Sequence, residues 1–319
     1  STGVAREWKD SYLQSATSHL VKKANSEKAF EFYARMIPKS HKDDWVLLNR
    51  KDDGILAHFG NYDVEAITTG AIRQYIEVLN NNRPTPLAVS TQKKHVGVIR
   101  KALRFARENG KITIIPEAPK LEKLDQKPRA NFTNNEFYEF YQNLRNGVEN
   151  GELDREVFEI IKFIPTTFLR PTENELMGLR VKDITVHEKK KDGDDIYITM
   201  KINGKTGVRH SVSLPPAVGI FKKQVARKEL GKDDYLWFPE ISNRKYAITK
   251  FSRLVTKLLQ KYDCQYSDDG QKRSAYSLRH FGISYRLQSS GGKINIYNLA
   301  NNAGTSVQML EKFYLKYSK

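Results

Sequence analysis

Between Ile196 and Leu214 the chain leaves the helical spacing that governs the residues around it. Ile196, Ile198, Met200 and Ile202 alternate with Tyr197, Thr199 and Lys201, and beyond Gly207 the residues Val208, His210, Val212 and Leu214 alternate with Arg209, Ser211 and Ser213. A period of two belongs to extended strands, whose successive side chains point to opposite faces. Asn203-Gly204 favours a tight reversal, so the two runs predict a β-hairpin with Lys205 at or next to its tip, ended by Pro215-Pro216. This is the one stretch that reads as strand, and the expected fold class is mainly α with a small antiparallel β-sheet.

Residues 1 to about 115 read as helical. After Ser90-Thr91, a pair of candidate N-caps, the residues Val96, Ile99, Leu103 and Ala106 recur at helical spacing and mark a buried face, and Gly110 offers a stop. Lys93, Arg100, Arg104 and Arg107 recur on another face, with Lys94 and Lys101 beside it. Such a stripe suits a helix lying along a phosphate backbone, and equally a solvated surface. Pro116, Pro119 and Pro128 then fall among charged residues with no apolar period. That composition predicts a linker over 116–131 between a helical domain at 1–115 and a second domain at 132–319. In the second domain a helix is expected from Thr133 to about Asn146, and Val157, Ile160, Ile161 and Ile164 predict another that runs toward Arg170.

Lysine and arginine outnumber aspartate and glutamate by 54 to 37, a formal charge of +17, which favours a polyanionic partner. No apolar run approaches the roughly 18 residues of a membrane span, and the first residues lack the apolar core of a secretion signal, so a soluble intracellular protein is expected. A single cysteine, Cys264, rules out an internal disulfide, and no His/Asp/Glu set has metal-ligand spacing, so no metal is expected.

Four side chains carry the chemical reading: Arg170 in Leu169-Arg170-Pro171-Thr172-Glu173, Lys205, Arg279 in Tyr276-Ser277-Leu278-Arg279-His280, and Tyr314. Displacement at a phosphodiester builds negative charge on the non-bridging oxygens and on the departing alkoxide. Planar guanidinium forks match two phosphate oxygens at any working pH, so Arg170 and Arg279 are candidates for a clamp. Lys205 is the candidate proton donor to the leaving oxygen, with Lys201 as second choice. Tyr314 is a workable nucleophile where cations stabilise its anion, although Leu310, Phe313 and Tyr317 share its helical face and core packing competes for the same residue. Thr305 and Ser306 are possible N-caps of that helix.

Taken together, these segments resemble the tyrosine recombinases, in particular phage-type and genomic-island integrases, over nearly the whole chain. Phe168 to Glu173 followed by Leu179 to Ile184 looks like the first-arginine box, Gly204-Lys205-Thr206-Gly207 then Arg209 like the hairpin of the catalytic lysine, Tyr276 to His280 like the second-arginine box, and Leu299 to Tyr314 like the segment ending in the nucleophile. The resemblance implies a two-domain clamp around duplex DNA: a helical core-binding domain and a catalytic domain of α+β type. It implies catalytic roles for Arg170, Lys205, Tyr276, Arg279 and Tyr314, support from Glu173 or Glu175 (the spacing of Leu176 and Leu179 favouring Glu175) and from Thr305 and His280, and DNA contacts by Lys93, Lys94, Arg100, Lys101 and Arg104. Tyr276 and Thr305 stand where many members carry histidine, or histidine or tryptophan. On the same ground the activity is site-specific recombination through a 3′-phosphotyrosyl intermediate, performed by a homo-tetramer on synapsed DNA in the cytoplasm of a bacterium or phage host. The rival readings are a type IB topoisomerase and a DNA-binding relative that has lost strand cleavage.

Overall fold

The computed structural model describes residues 27–51, 53–121, 130–188, 196–204 and 207–313, without the side chains of 312 and 313. The chain separates into two compact units, residues 1–126 and 127–319. It is mainly helical, with one three-stranded antiparallel sheet. Among the described residues no helix is long and apolar enough to cross a membrane.

Among the described residues of the first unit the helices are α1 (Phe30–Ala34), α2 (Lys42–Asn49), α3 (Ile55–Phe59), α4 (Thr69–Asn81) and α5 (Val89–Glu108). Thr68 caps α4, its hydroxyl accepting from the Ala71 N–H at 3.1 Å. The expected face of α5 is buried: Val96, Ile99, Leu103 and Ala106 pack with Phe30, Leu48, Phe59 and Ile72 into one core. Each such side chain contributes about 1.5–3 kcal/mol relative to exposure. Ser90 and Thr91 do not cap this helix, because it begins at Val89 and Ala88 occupies the cap position without a side-chain bond. Gly110 does end it, at φ +69°, as the Lys111 N–H reaches back to the Ala106 carbonyl at 3.0 Å. Ile115 and Leu121 pack against this same core and Thr69 bonds the Glu117 carbonyl at 3.1 Å, so the first half of the proline-bearing stretch is attached to the first unit.

The second unit carries α6 (Asn134–Glu149), α7 (Arg155–Thr167), the strands β1 (Ile184–His187), β2 (Tyr197–Gly204) and β3 (Gly207–Val212), then α8 (Pro216–Lys228), α9 (Arg244–Lys261), α10 (Ala275–Ser289), α11 (Ile296–Ala303) and α12 (Val307–Phe313). Thr133 and Glu136 close a capping box at the start of α6, and Glu136 also pairs with buried Arg273 at 2.5 Å, which fixes the approach to α10. Ile160, Ile164, Phe163, Trp237 and Phe251 lie in the main core. Helix α10 crosses α7 so closely that a Cβ on Gly282 would stand 2.6 Å from the Pro165 Cα, so only glycine fits there.

The strand order is β1-β2-β3. Gly204 pairs with Gly207, and Lys205 and Thr206, which follow Gly204 in sequence, lie outside the described residues. Strand β1, which the alternation did not reveal, pairs Ile184 with Met200 and Val186 with Ile198. Ile198, Met200 and Ile202 are buried as their period implies. On β3 the pattern is inverted: Val208 and Val212 are 57% and 40% exposed, whereas Ser211 is buried and Arg209 faces the same way, opposite Ile202.

Candidate active site

The site starts at the end of α7, where Phe168 takes a left-handed conformation at φ +57°. A bulky residue there is strained, and burial compensates: the ring packs with Ile283, Leu287, Leu299, Ala303 and Leu310, a small core that gathers α10, α11 and α12 around the turn. The backbone reversal points the Phe168 carbonyl at Arg279 Nη1. Arg170 follows two residues later.

Arg279 lies on α10, where Ser274 caps the first turn, and is only 2% exposed. Its Nη2 donates to the Ala303 carbonyl at 2.6 Å. Arg170 donates from Nη2 to the next carbonyl, that of Gly304, and from Nη1 to Glu175 Oε1 at 2.5 Å. Both guanidiniums therefore meet at the carboxyl end of α11, where the unpaired carbonyls of a helix carry partial negative charge. Gly304 makes this possible with φ +62°, while the Thr305 N–H closes the turn on the Ala300 carbonyl at 2.9 Å.

Of Glu173 and Glu175, it is Glu175 that meets the arginines. It is 3% exposed and receives the Arg170 backbone N–H at 3.0 Å and Arg209 Nη2 at 2.9 Å besides the Arg170 side chain, whereas Glu173 is exposed. Burial works against the charged form of Arg170, but the hydrogen bond and charge of Glu175, followed by the phenol of Tyr276, outweigh it and raise the pKa. In Arg209 burial dominates and lowers the pKa, with Arg170 adding to the fall and Glu175 opposing it. Both stay cationic at neutral pH, because a guanidinium is not deprotonated in a protein.

Tyr276 adjoins both arginines, hydrogen-bonding Arg170 and holding its ring centroid 6.0 Å from the Arg279 guanidinium carbon. His280, one turn on, is buried with its ring 5.0 Å from that of Tyr276. Thr305 is half-buried and does not cap α12; Ser306 does, accepting from the Met309 N–H at 3.3 Å. Leu310, fully buried, anchors α12 to the Phe168 core. Lys205, Tyr314 and Tyr317 lie outside the described residues. Among the described residues no three His, Cys, Asp or Glu side chains converge as a metal site would require.

The structure adds residues that the sequence reading passed over. Arg209 stood on the polar phase of a strand and was assigned no role. The carbonyls of Phe168, Ala303 and Gly304 have no signature in side-chain type. Arg180 and Arg244 sandwich the Tyr235 ring, each 4.1 Å from its centroid, and border a polar cavity of about 530 Å³ that reaches Glu175, Lys201 and Lys245.

On the first unit Lys93, Lys94, Arg100 and Arg104 are exposed along α5. Lys101 turns instead toward Asp44, paired at 2.6 Å. Among the described residues it is the one member of that set paired with an acidic side chain.

Among solved structures the chain is similar to the Tn1549 transposon integrase in complex with transposon right end DNA, at 15% identity over 89% of this chain and 94% of that chain with a TM-score of 0.64. It is similar to the XerH site-specific recombinase bound to a palindromic difH substrate, at 15% identity, 90% and 75% coverage and a TM-score of 0.57. It also matches a lambda integrase dimer bound to a COC′ core site, at 15% identity, 97% and 76% coverage and a TM-score of 0.57. No family model matches the chain, and no curated protein matches it. The fold is that of the tyrosine recombinases.

Proposed function

We propose that this chain is a site-specific DNA strand transferase acting by the tyrosine-recombinase reaction. The observation that carries the reading is the meeting of Arg170 and Arg279 on the adjacent carbonyls of Gly304 and Ala303, at the head of the segment that leads to Tyr314. Two cations held to one turn of backbone can bracket one phosphate, and each guanidinium has five N–H donors, enough to keep its carbonyl and still reach an oxygen.

In this reading the Tyr314 oxygen attacks the scissile phosphorus and the bond to the 5′ oxygen breaks, giving a 3′-phosphotyrosyl link. Lys205 delivers the proton that the departing 5′ oxygen takes up. Arg170 and Arg279 stabilise the charge on the non-bridging oxygens, and the Tyr276 hydroxyl, already hydrogen-bonded to Arg170, is placed to donate as well. The 5′ hydroxyl of a partner strand then displaces tyrosine, so the number of phosphodiester bonds is conserved and no nucleotide cofactor or metal is consumed. Four protomers on two synapsed duplexes, working where the host DNA lies, complete the proposal.

The test is covalent capture. A pool of nicked suicide duplexes with a randomised core is incubated with the protein in the presence of a chelator, and adducts are recovered and sequenced. The expected result is an adduct of defined sequence that Tyr314→Phe abolishes. Loss with Tyr317→Phe instead would move the nucleophile. An adduct that yields only relaxed circles and never exchanged strands would make the protein a topoisomerase, and no adduct at all would leave a DNA-binding relative.

A further inference from the structure

Arg209 occupies a place that a strand normally gives to an apolar side chain. It stands directly opposite Ile202 on the inward face of the sheet, two residues before buried Ser211. Only Nη2 finds a partner, Glu175 Oε2; Nε and Nη1 are buried with no hydrogen-bond acceptor among the described residues. A guanidinium kept this way costs free energy in the folded state, and a carboxylate already serving Arg170 offsets only part of it.

Its surroundings tie three segments together. Glu175 holds Arg170 with one oxygen and Arg209 with the other. Arg209 also lies flat against Gly304, so closely that a Cβ at that position would come within 2.7 Å of its guanidinium carbon, and the Gly304 carbonyl is the one that receives Arg170. The strand itself is fastened to the same helix end: Ser211 Oγ donates to the Asn302 carbonyl at 2.8 Å, and the Asn302 amide donates to the Val212 carbonyl at 2.6 Å. Arg209 thus bonds one acceptor of the Arg170 fork, Glu175, and packs against the residue that supplies the other, Gly304.

We infer that Arg209 is a positioning residue for Arg170, setting the phosphate-facing geometry of that fork through Glu175 and Gly304 without itself touching the substrate. The inference rests on the strand-transfer reading. Its rival is a structural ion pair that stabilises the hairpin and has no bearing on the phosphate.

The two are separated by the charge of the scissile linkage. A methyl group in place of one non-bridging oxygen removes the charge that Arg170 stabilises, while the tyrosine–phosphorus bond still forms and the bond to the 5′ oxygen still breaks. The full chain is assayed on the captured duplex with a phosphodiester or a methylphosphonate at the cut, each variant compared with the unaltered protein on the same linkage. Arg209→Met should slow adduct formation about 10–100-fold on the phosphodiester and less than about threefold on the methylphosphonate. Arg209→Lys, which keeps the charge and loses the fork, should show a smaller loss with the same relief, and it carries the measurement if the methionine variant does not fold. Equal slowing on both linkages, or none on either, overturns the inference and leaves the proposed function standing. No adduct from the unaltered protein overturns both.

Discussion

Arg170 and Arg279 donate to consecutive backbone carbonyls, those of Gly304 and Ala303, at the carboxyl end of one short helix. Arg170 is also held locally by Glu175, five residues on, whereas Arg279 reaches the Ala303 carbonyl from a different helix. The spacing between the two forks is set by a single peptide unit, which is as rigid a ruler as a protein offers.

That ruler accepts only a planar fork. Arg279→Lys should therefore lower the rate of covalent adduct formation about 100–1000-fold while duplex affinity changes little, because a point charge cannot bond the Phe168 and Ala303 carbonyls together. Adduct formation within threefold of the unaltered protein would remove this residue from the reaction.

Glu175→Gln takes the negative charge from a buried cluster in which two guanidiniums share it. Breaking a buried pair by removing one partner typically costs about 3–5 kcal/mol, so thermal unfolding should begin markedly lower. An unchanged unfolding curve would mean that the carboxylate does not compensate Arg170 and Arg209.

Gly304→Ala meets two obstacles, a positive φ and the Arg209 side chain lying where its Cβ would go. The left-handed conformation alone costs about 1 kcal/mol for a residue with a side chain. Because Arg209 must also shift, adduct formation should fall by a larger factor than this destabilisation explains, and proportionate losses in both would argue against the contact.

Arg100→Ala and Arg104→Ala test the exposed stripe on α5. If each contacts a phosphate, each should weaken binding and reduce the slope of log affinity against log salt by about 1. Lys101→Ala, whose ammonium is turned to Asp44, should do less of both. Equal salt slopes for all three and the unaltered protein would place the DNA elsewhere.

In the first unit, burial pushes His58 down to about 4, and burial followed by the Arg50 charge pushes His95 to about 4. An unfolded histidine titrates near about 6.5, so between those values the unfolded chain binds protons that the folded unit refuses. Stability is then full above about pH 6.5 and declines as the pH falls toward 4. The unfolding temperature measured from pH 7 to 4.5 should drop, and His58→Phe should flatten part of the drop. A curve unaffected by that change would show that His58 is not held neutral.

Much of this was legible without a fold. Thr133 with Glu136, Gly110, and the alternation of Ile198, Met200 and Ile202 encode caps, stops and strand period through interactions a few residues long. The preference for Glu175 over Glu173 came from the resemblance, in which Leu176 and Leu179 follow the acidic residue at the family's spacing. The strand β1 and the cap at Ala88 escaped, the first because its 4 residues are too few to establish a period of two and the second because nothing in an alanine announces a helix start.

The sequence by itself determined where α5, α6, α7 and the hairpin lie, because backbone preference, capping and hydrophobic period act between near neighbours. It also placed each arginine in its own local segment. Only the tertiary structure decided that β3 turns Arg209 inward and leaves Val208 and Val212 to solvent, and that two helix-end carbonyls align the forks. A buried charge is stable only where partners from other segments converge on it, and that convergence is a property of packing that no single stretch of chain contains.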